Sequence, residues 1–316
     1  MKVIRKAMLA IATLALVIDI AGGLYLQHVA LDNPAHHVDP KGIFRHLAHR
    51  GPFLAPWLDS IADNALLCDT FITGHDGARL HAYYLHAPHP TPRTALLVHG
   101  YKTQALDMLH IGYLYHHELG FNILLPDLHA HGLSEGTHIR MGWRDRIDVG
   151  LWTEVADNMF GGDTWMVVHG ISMGAATTMM LAGDETPCCV KAFVEDCGYT
   201  SVWDEFRSEL RNRYGLPPFP LLHTSSLLTR LRFGWDFTEA SALHQVERCT
   251  KPMLFIHGDS DDFVPTWMAS PLYEAHSGTK GIWLAPGVAH ADAFWTYPEE
   301  YTRRVRDFIN ACSSEM

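Results

Sequence analysis

A serine bracketed by two glycines stands at Gly170-Ile171-Ser172-Met173-Gly174, directly after the apolar run Trp165 to His169 and before the helix-prone stretch Ala175 to Leu181. A serine hydroxyl is a weak nucleophile until a base removes its proton, and it must stand clear of the backbone to reach a carbonyl. The order strand, G-x-S-x-G, helix meets the second need: a sharp turn lifts the hydroxyl above a sheet edge, and the glycines let neighbouring backbones approach. The Met173 amide would then face a developing oxyanion, with the positive end of the helix behind it. The plain alternative is a glycine-rich turn whose serine caps a helix.

An acid and then a histidine should follow downstream, each on a loop that leaves a strand. The apolar run Met253 to His257 leads into Gly258-Asp259-Ser260-Asp261-Asp262, and Gly281 to Leu284 leads into Ala285-Pro286-Gly287-Val288-Ala289-His290. His290 follows the last strand by a short loop, so it is the expected base: it takes the Ser172 proton and returns it to the leaving group. Asp259, Asp261 and Asp262 are all available as the acid that fixes its tautomer. Asp261 is preferred, with Asp262 the closest rival. Upstream, the run Ala95 to Val98 ends in His99-Gly100-Tyr101, and the Tyr101 amide is the expected second oxyanion donor, with His99 packed beneath the loop.

These residues need a scaffold that brings strand ends together. Short apolar runs at 95–99, 122–125, 165–169, 190–194, 253–257 and 281–284 alternate with amphipathic stretches such as 145–160. That alternation predicts a mostly parallel sheet with helices on both faces and a ligand site at the carboxyl ends of the strands. Asp76-Gly77 between two β-prone runs predicts a hairpin. An insertion at about 200–246 carries Trp203, Phe206, Tyr214, Phe219, Phe233, Trp235 and Phe237, and reads as a small helical cap suited to an apolar or aromatic substrate group.

With these motifs in place, the chain from about Phe71 to Phe308 resembles the bacterial α/β-hydrolases of the Bem46-like, cinnamoyl-esterase and dienelactone-hydrolase types. The likeness rests on Leu97-Val98-His99-Gly100-Tyr101, Pro126 to Gly136, Met141-Gly142-Trp143-Arg144-Asp145-Arg146, Gly170 to Gly174, His257 to Pro265 and Pro286 to His290. The resemblance implies the α/β-hydrolase fold, a Ser172, Asp261, His290 triad, esterase-like activity, no cofactor, and an N-terminal anchor or export signal. One departure is His129, where an arginine is usual. The run Asp127 to Gly136 reads as a loop scaffold, with His131 structural.

Composition narrows the partners. The 316 residues carry a formal charge of -11, which argues against nucleic acid because phosphate binding needs a clustered basic face. Six cysteines lie scattered without C-x-x-C spacing and are expected to be mostly buried free thiols. The 22 histidines include His36-His37 and His116-His117 but no H-E-x-x-H, so no metal site is expected.

At the N-terminus, Lys2, Arg5 and Lys6 precede an apolar run from Ala7 that continues to Leu26. This is either a cleaved signal, with Ala21 and Gly23 as small residues at the cut, or an uncleaved span; the span is preferred. The basic flank places the catalytic body outside the cytoplasm, anchored in the cell membrane or secreted if cleaved. The expected division is 1–28 signal or anchor, 29–69 linker and helical lead-in, and 70–316 hydrolase domain. The leading expectation is a serine hydrolase of carboxylesterase type acting on a small ester or amide. A serine peptidase or acyltransferase uses the same triad, and a silent surface binding protein is the alternative from another class.

Overall fold

The computed structural model describes residues 1–34 and 38–314, so the His36-His37 pair lies outside the described residues. Eight strands form one sheet: β1 (Cys68–Thr73), β2 (Arg79–Leu85), β3 (Arg93–Val98), β4 (Asn122–Pro126), β5 (Trp165–Ile171), β6 (Val190–Asp196), β7 (Met253–Gly258) and β8 (Lys280–Ala285). Their order in space is β1-β2-β4-β3-β5-β6-β7-β8. β2 runs antiparallel to both neighbours, and every pairing from β4 to β8 is parallel. The β1–β2 hairpin turns at Gly77, whose φ of 90° a side chain would resist.

The helices are α1 (Lys2–Leu31), α2 (Pro40–Arg50), α3 (Ala55–Asp63), α4 (Leu109–Gly112), α5 (Asp145–Met159), α6 (Met173–Ala182), α7 (Val202–Tyr214), α8 (Leu221–Phe233), α9 (Ala242–Val246), α10 (Ala269–Ala275), α11 (Ala293–Thr296) and α12 (Pro298–Ser314). Side chains alternate across the sheet. In β3, Leu96 and Val98 enter the core layer shared with α5 and α6, while Ala95 and Leu97 enter the layer under α2, α3 and α12. Both layers are closed to solvent over most of the sheet, which is why the parallel strands are predominantly apolar. On α12 the buried face is Tyr301, Val305 and Ile309 at every fourth position. Burying each such aliphatic contributes about 1.5–3 kcal/mol.

The insertion between β6 and β7 folds as α7, α8 and α9. The Ser201 side chain caps α7 by accepting the Asp204 amide at 3.0 Å, and Gly215 ends it with φ 65°. α1 runs to Leu31, three residues past the expected end of the N-terminal segment, with Gly23, Gln27 and Leu31 buried on one face. The stretch expected as a linker and helical lead-in contains α2, capped by the Asp39 carboxylate on the Gly42 amide, and α3; Leu47, Trp57 and Ile61 seal the second core layer.

Candidate active site

β3, β5, β6 and β7 end side by side: Val98 pairs with Gly170, Ile171 with Asp196, and Asp196 with Ile256. The loops that follow these strands therefore meet at one edge of the sheet. Ser172 sits there between β5 and α6 with φ 58° and ψ -120°, a strained conformation for a residue with a side chain. Neither flanking glycine tolerates a Cβ: one on Gly170 would lie 2.1 Å from the Gly174 carbonyl oxygen, and one on Gly174 would lie 2.0 Å from that of Val98. The turn is that tight because β5 and α6 enclose it from both sides, and the Ser172 amide is tied to the Asp196 carbonyl at 2.8 Å.

The loops after β7 and β8 bring in the other two groups. Ser172 Oγ donates to His290 Nε2 at 2.8 Å, and His290 Nδ1 donates to Asp261 Oδ2 at 2.7 Å. The second Asp261 oxygen accepts the amides of Phe263 and Val264, each at 3.0 Å. Burial opposes ionisation of Asp261, but hydrogen bonds from His257 and His290 outweigh it and hold the carboxyl below its usual value. The carboxylate therefore accepts from imidazole instead of competing for its proton. Of the rival acids, Asp259 accepts the Ser260 hydroxyl and the Gly287 amide at the surface, and Asp262 is exposed.

His257 was not singled out in the sequence. Its Nε2 donates to the Val264 carbonyl at 2.9 Å and lies 3.4 Å from Asp261 Oδ2. Burial pulls its basicity down, yet Asp261 and Glu195 outweigh burial and raise it. Cys197 Sγ also lies within 4.8 Å of ligating atoms of Asp261 and His290. Burial pushes that thiol far up, so it stands beside the pair as a neutral group and not as a thiolate ligand.

The loop after β3 passes against the nucleophile: a Cβ on Gly100 would lie 3.4 Å from Ser172 Cβ. Its shape is fixed from below. His99 Nδ1 donates to the Gly100 carbonyl at 2.8 Å and its Nε2 accepts the Leu128 amide at 3.0 Å, so both ring nitrogens are engaged and neither reaches Ser172. His131 Nε2 accepts the Lys102 amide at 3.3 Å. Asp127 accepts the Ala105 and Leu133 amides and pairs with His81, which makes the 127–136 run a brace for this loop. The Tyr101 amide lies in the loop after β3 and the Met173 amide opens α6 directly after Ser172, and neither is used in a turn or cap of the described residues.

Ser172 opens onto two unlike spaces. One is an apolar cavity of about 140 Å³, walled by α1 (Leu26, Gln27, Ala30, Leu31) and by Phe206, Leu222 and Phe237 of the cap. One water needs only about 10–15 Å³ on this measure, so the cavity admits a multi-atom group. Two buried wall atoms, Gln27 Oε1 and Glu205 Oε2, have no hydrogen-bond partner among the described residues. Burial drives the Glu205 carboxyl well above its ordinary value, so it is a neutral O–H donor. The second space is wider, and sets His46, Arg50 and Asp107 among apolar walls from Leu47, Met108 and Trp295. The α1 wall escaped the sequence reading because an N-terminal apolar run reads as an address. The signal available was the Gly23, Gln27, Leu31 stripe at helical spacing.

Two of the dispersed histidines, His116 and His129, sit in structural contacts. His116 accepts from Trp57 Nε1 at 3.1 Å and donates to the His86 carbonyl at 3.0 Å. His129 lies against Gly136, where a Cβ would come within 2.4 Å of its ring, and burial pulls its pKa down to about 3. Cys68, Cys188, Cys189, Cys197 and Cys249 are free thiols, the last three of them buried.

No family model matches the chain. This strand order, with a positive-φ serine after β5, is that of the α/β-hydrolase fold. It is 30% identical over 224 residues to the uncharacterized protein YqkD of Bacillus subtilis (strain 168), covering 71% of this chain and 73% of that protein, and belongs to the same family. Among solved structures, the Pyrococcus furiosus esterase Pf2001 superposes with a TM-score of 0.66 at 19% identity over 90% of this chain and 98% of its own. Est1E of Butyrivibrio proteoclasticus, bound to ferulic acid, gives 0.60 at 18% identity over 77% and 99%. Acetyl xylan esterase 1 of Thermoanaerobacterium sp. gives 0.59 at 16% identity over 90% and 96%. At these identities the likeness carries the fold.

Proposed function

We propose that the protein is a serine hydrolase of carboxylic esters. The observation that carries this is the unbroken Asp261–His290–Ser172 hydrogen-bond chain at the carboxyl edge of the sheet. His290 Nε2 takes the Oγ proton as Ser172 attacks the ester carbonyl. The tetrahedral oxyanion is received by the Tyr101 and Met173 amides, each worth about 10²–10³ in rate. Collapse expels the alcohol, which takes its proton from His290. Water, activated by the same nitrogen, then releases the acid from Ser172.

The α1-walled cavity takes the acyl group and the wider space, with Arg50 and Asp107 in its lining, takes the alcohol. Several fold relatives are named as esterases, which supports the same reading. α1 is long and apolar enough to cross a membrane. With Lys2, Arg5 and Lys6 on the cytoplasmic side it anchors an extracytoplasmic hydrolase domain beginning near residue 70 and capped by 200–246. The test is a panel of p-nitrophenyl esters against aminoacyl anilides, with wild type and Ser172→Ala. Ester turnover that falls on the order of a million-fold in the variant supports the proposal; near-normal turnover by the variant, or a preference for anilides, refutes it.

A further inference from the structure

We propose that α1 remains attached as a wall of the acyl cavity, and that the enzyme takes single-chain esters from the bilayer in which this helix stands; this rests on the ester-hydrolase reading above. A span of about 20 residues crosses the hydrocarbon core. Counted from Ala7 it ends at Leu26, the first α1 residue to line the cavity. The helix therefore passes without a break from the membrane into the substrate site.

The cap is fastened to the C-terminal part of that helix, from Asp19 onward. A Cβ on Gly23 would lie 3.1 Å from Leu228 and 3.2 Å from Thr224, so the two glycines at 22 and 23 allow α8 to approach closely. Asp19 accepts the Thr224 hydroxyl, and Gln27 Nε2 donates to Thr229 Oγ1 at 2.7 Å. Beyond the cap, Tyr101 Oη donates to the Ala30 carbonyl at 2.8 Å, joining α1 to the loop that carries the oxyanion donor. Cleavage after Gly23 would leave Leu24 to Leu31, about two turns, well short of the roughly 12–15 residues an isolated helix needs.

These contacts also fix direction. Gly22 meets Leu221, Gln27 meets Thr229, and Asp32 meets Arg232, so α8 runs parallel to α1 and its N-terminal end points toward the membrane. That end carries Leu216 and Phe219, exposed by 44% and 70%. Apolar side chains so exposed beside a spanning helix are placed to enter the outer leaflet. Of the two spaces at Ser172, the cavity walled by α1 is the more apolar, and the wider one carries the charged groups Arg50 and Asp107, which favours one acyl chain and a polar alcohol.

The test uses full-length protein in phosphatidylcholine vesicles containing 1-palmitoylglycerol, with p-nitrophenyl butyrate in solution as the soluble substrate. Phe219→Asp is expected to lower turnover in vesicles at least fivefold and leave butyrate turnover intact. Leu26→Trp is expected to shift the butyrate-to-palmitate preference at least tenfold toward butyrate, and Leu26→Ala to shift it toward palmitate. Intact mass should show residues 1–31 still attached. Chain-length preference unmoved by either Leu26 variant, equal loss of both substrates in Phe219→Asp, or a mature protein lacking α1 would overturn the proposal. If wild type turns over neither ester and Ser172 resists a fluorophosphonate, it is the ester-hydrolase reading itself that has failed.

Discussion

The Asp196 backbone carbonyl accepts the Ser172 amide at 2.8 Å, while the Asp196 carboxyl accepts the Tyr301 hydroxyl at 2.9 Å. The strained nucleophile turn is thus held to β6, and β6 to α12. Tyr301 also receives His169 Nε2 at 3.0 Å, and His169 Nδ1 receives Tyr115 at 3.1 Å, so the polar groups beneath Ser172 satisfy one another in series. A buried histidine with both nitrogens so engaged stays neutral, and burial pulls its pKa to about 3.

Tyr301→Phe should therefore cost stability without touching the reacting atoms. It leaves the Asp196 carboxyl with no hydroxyl donor in a site where its other oxygen already lacks one among the described residues. Stranding a buried polar group costs about 1–3 kcal/mol. A lower urea midpoint at an unchanged m-value is expected, and an unshifted midpoint would show that the series does not support the fold.

Glu195 gives a pH signature. Burial lifts its carboxyl to about 8, against contributions from His257 and the Gly198 amide that favour the charged form. The unfolded value is about 4.3, so the native state keeps a proton that the unfolded chain loses. The resulting stabilisation is complete below the unfolded value and is lost as pH rises through about 8. Asp145 and Asp196, each lifted to about 6 chiefly by burial, act in the same sense over a lower window. Denaturant midpoints should fall between pH 6.5 and 8.5 in wild type, and Glu195→Gln should flatten that fall. An unchanged slope in the variant would place the titration elsewhere.

Asp261→Asn should lower kcat by about 10⁴, because an amide no longer fixes the imidazole tautomer. Asp262→Asn, at an exposed carboxylate, should leave kcat near wild type. Steady-state rates on one p-nitrophenyl ester compare the two, and the reverse ranking would move the acid to Asp262.

Much of this was legible in the chain. The nucleophile turn could be read because G-x-S-x-G follows an apolar run, and His290 because one short loop separates it from β8. The six strands from β3 to β8 announced themselves as mostly apolar runs, since a sheet covered on both faces leaves few polar positions to blur the signal, whereas β1 and β2 read only as β-prone runs about Asp76-Gly77. Choosing among Asp259, Asp261 and Asp262 needed the fold: burial and the Phe263 and Val264 amides distinguish Asp261, and local sequence encodes neither. His257 was hidden for the same reason, as one more apolar-strand residue. The role of Gln27 depends on contacts with α8 about 200 residues away, which periodicity along α1 does not specify.

The account stands on one reactive hydroxyl, and covalent trapping tests it most directly. Full-length protein treated with a fluorophosphonate should gain a single adduct, mapped by peptide mass to Ser172, with ester turnover lost in proportion to labelling and no adduct in Ser172→Ala. An adduct on another residue, or full ester turnover by protein labelled at Ser172, would contradict it.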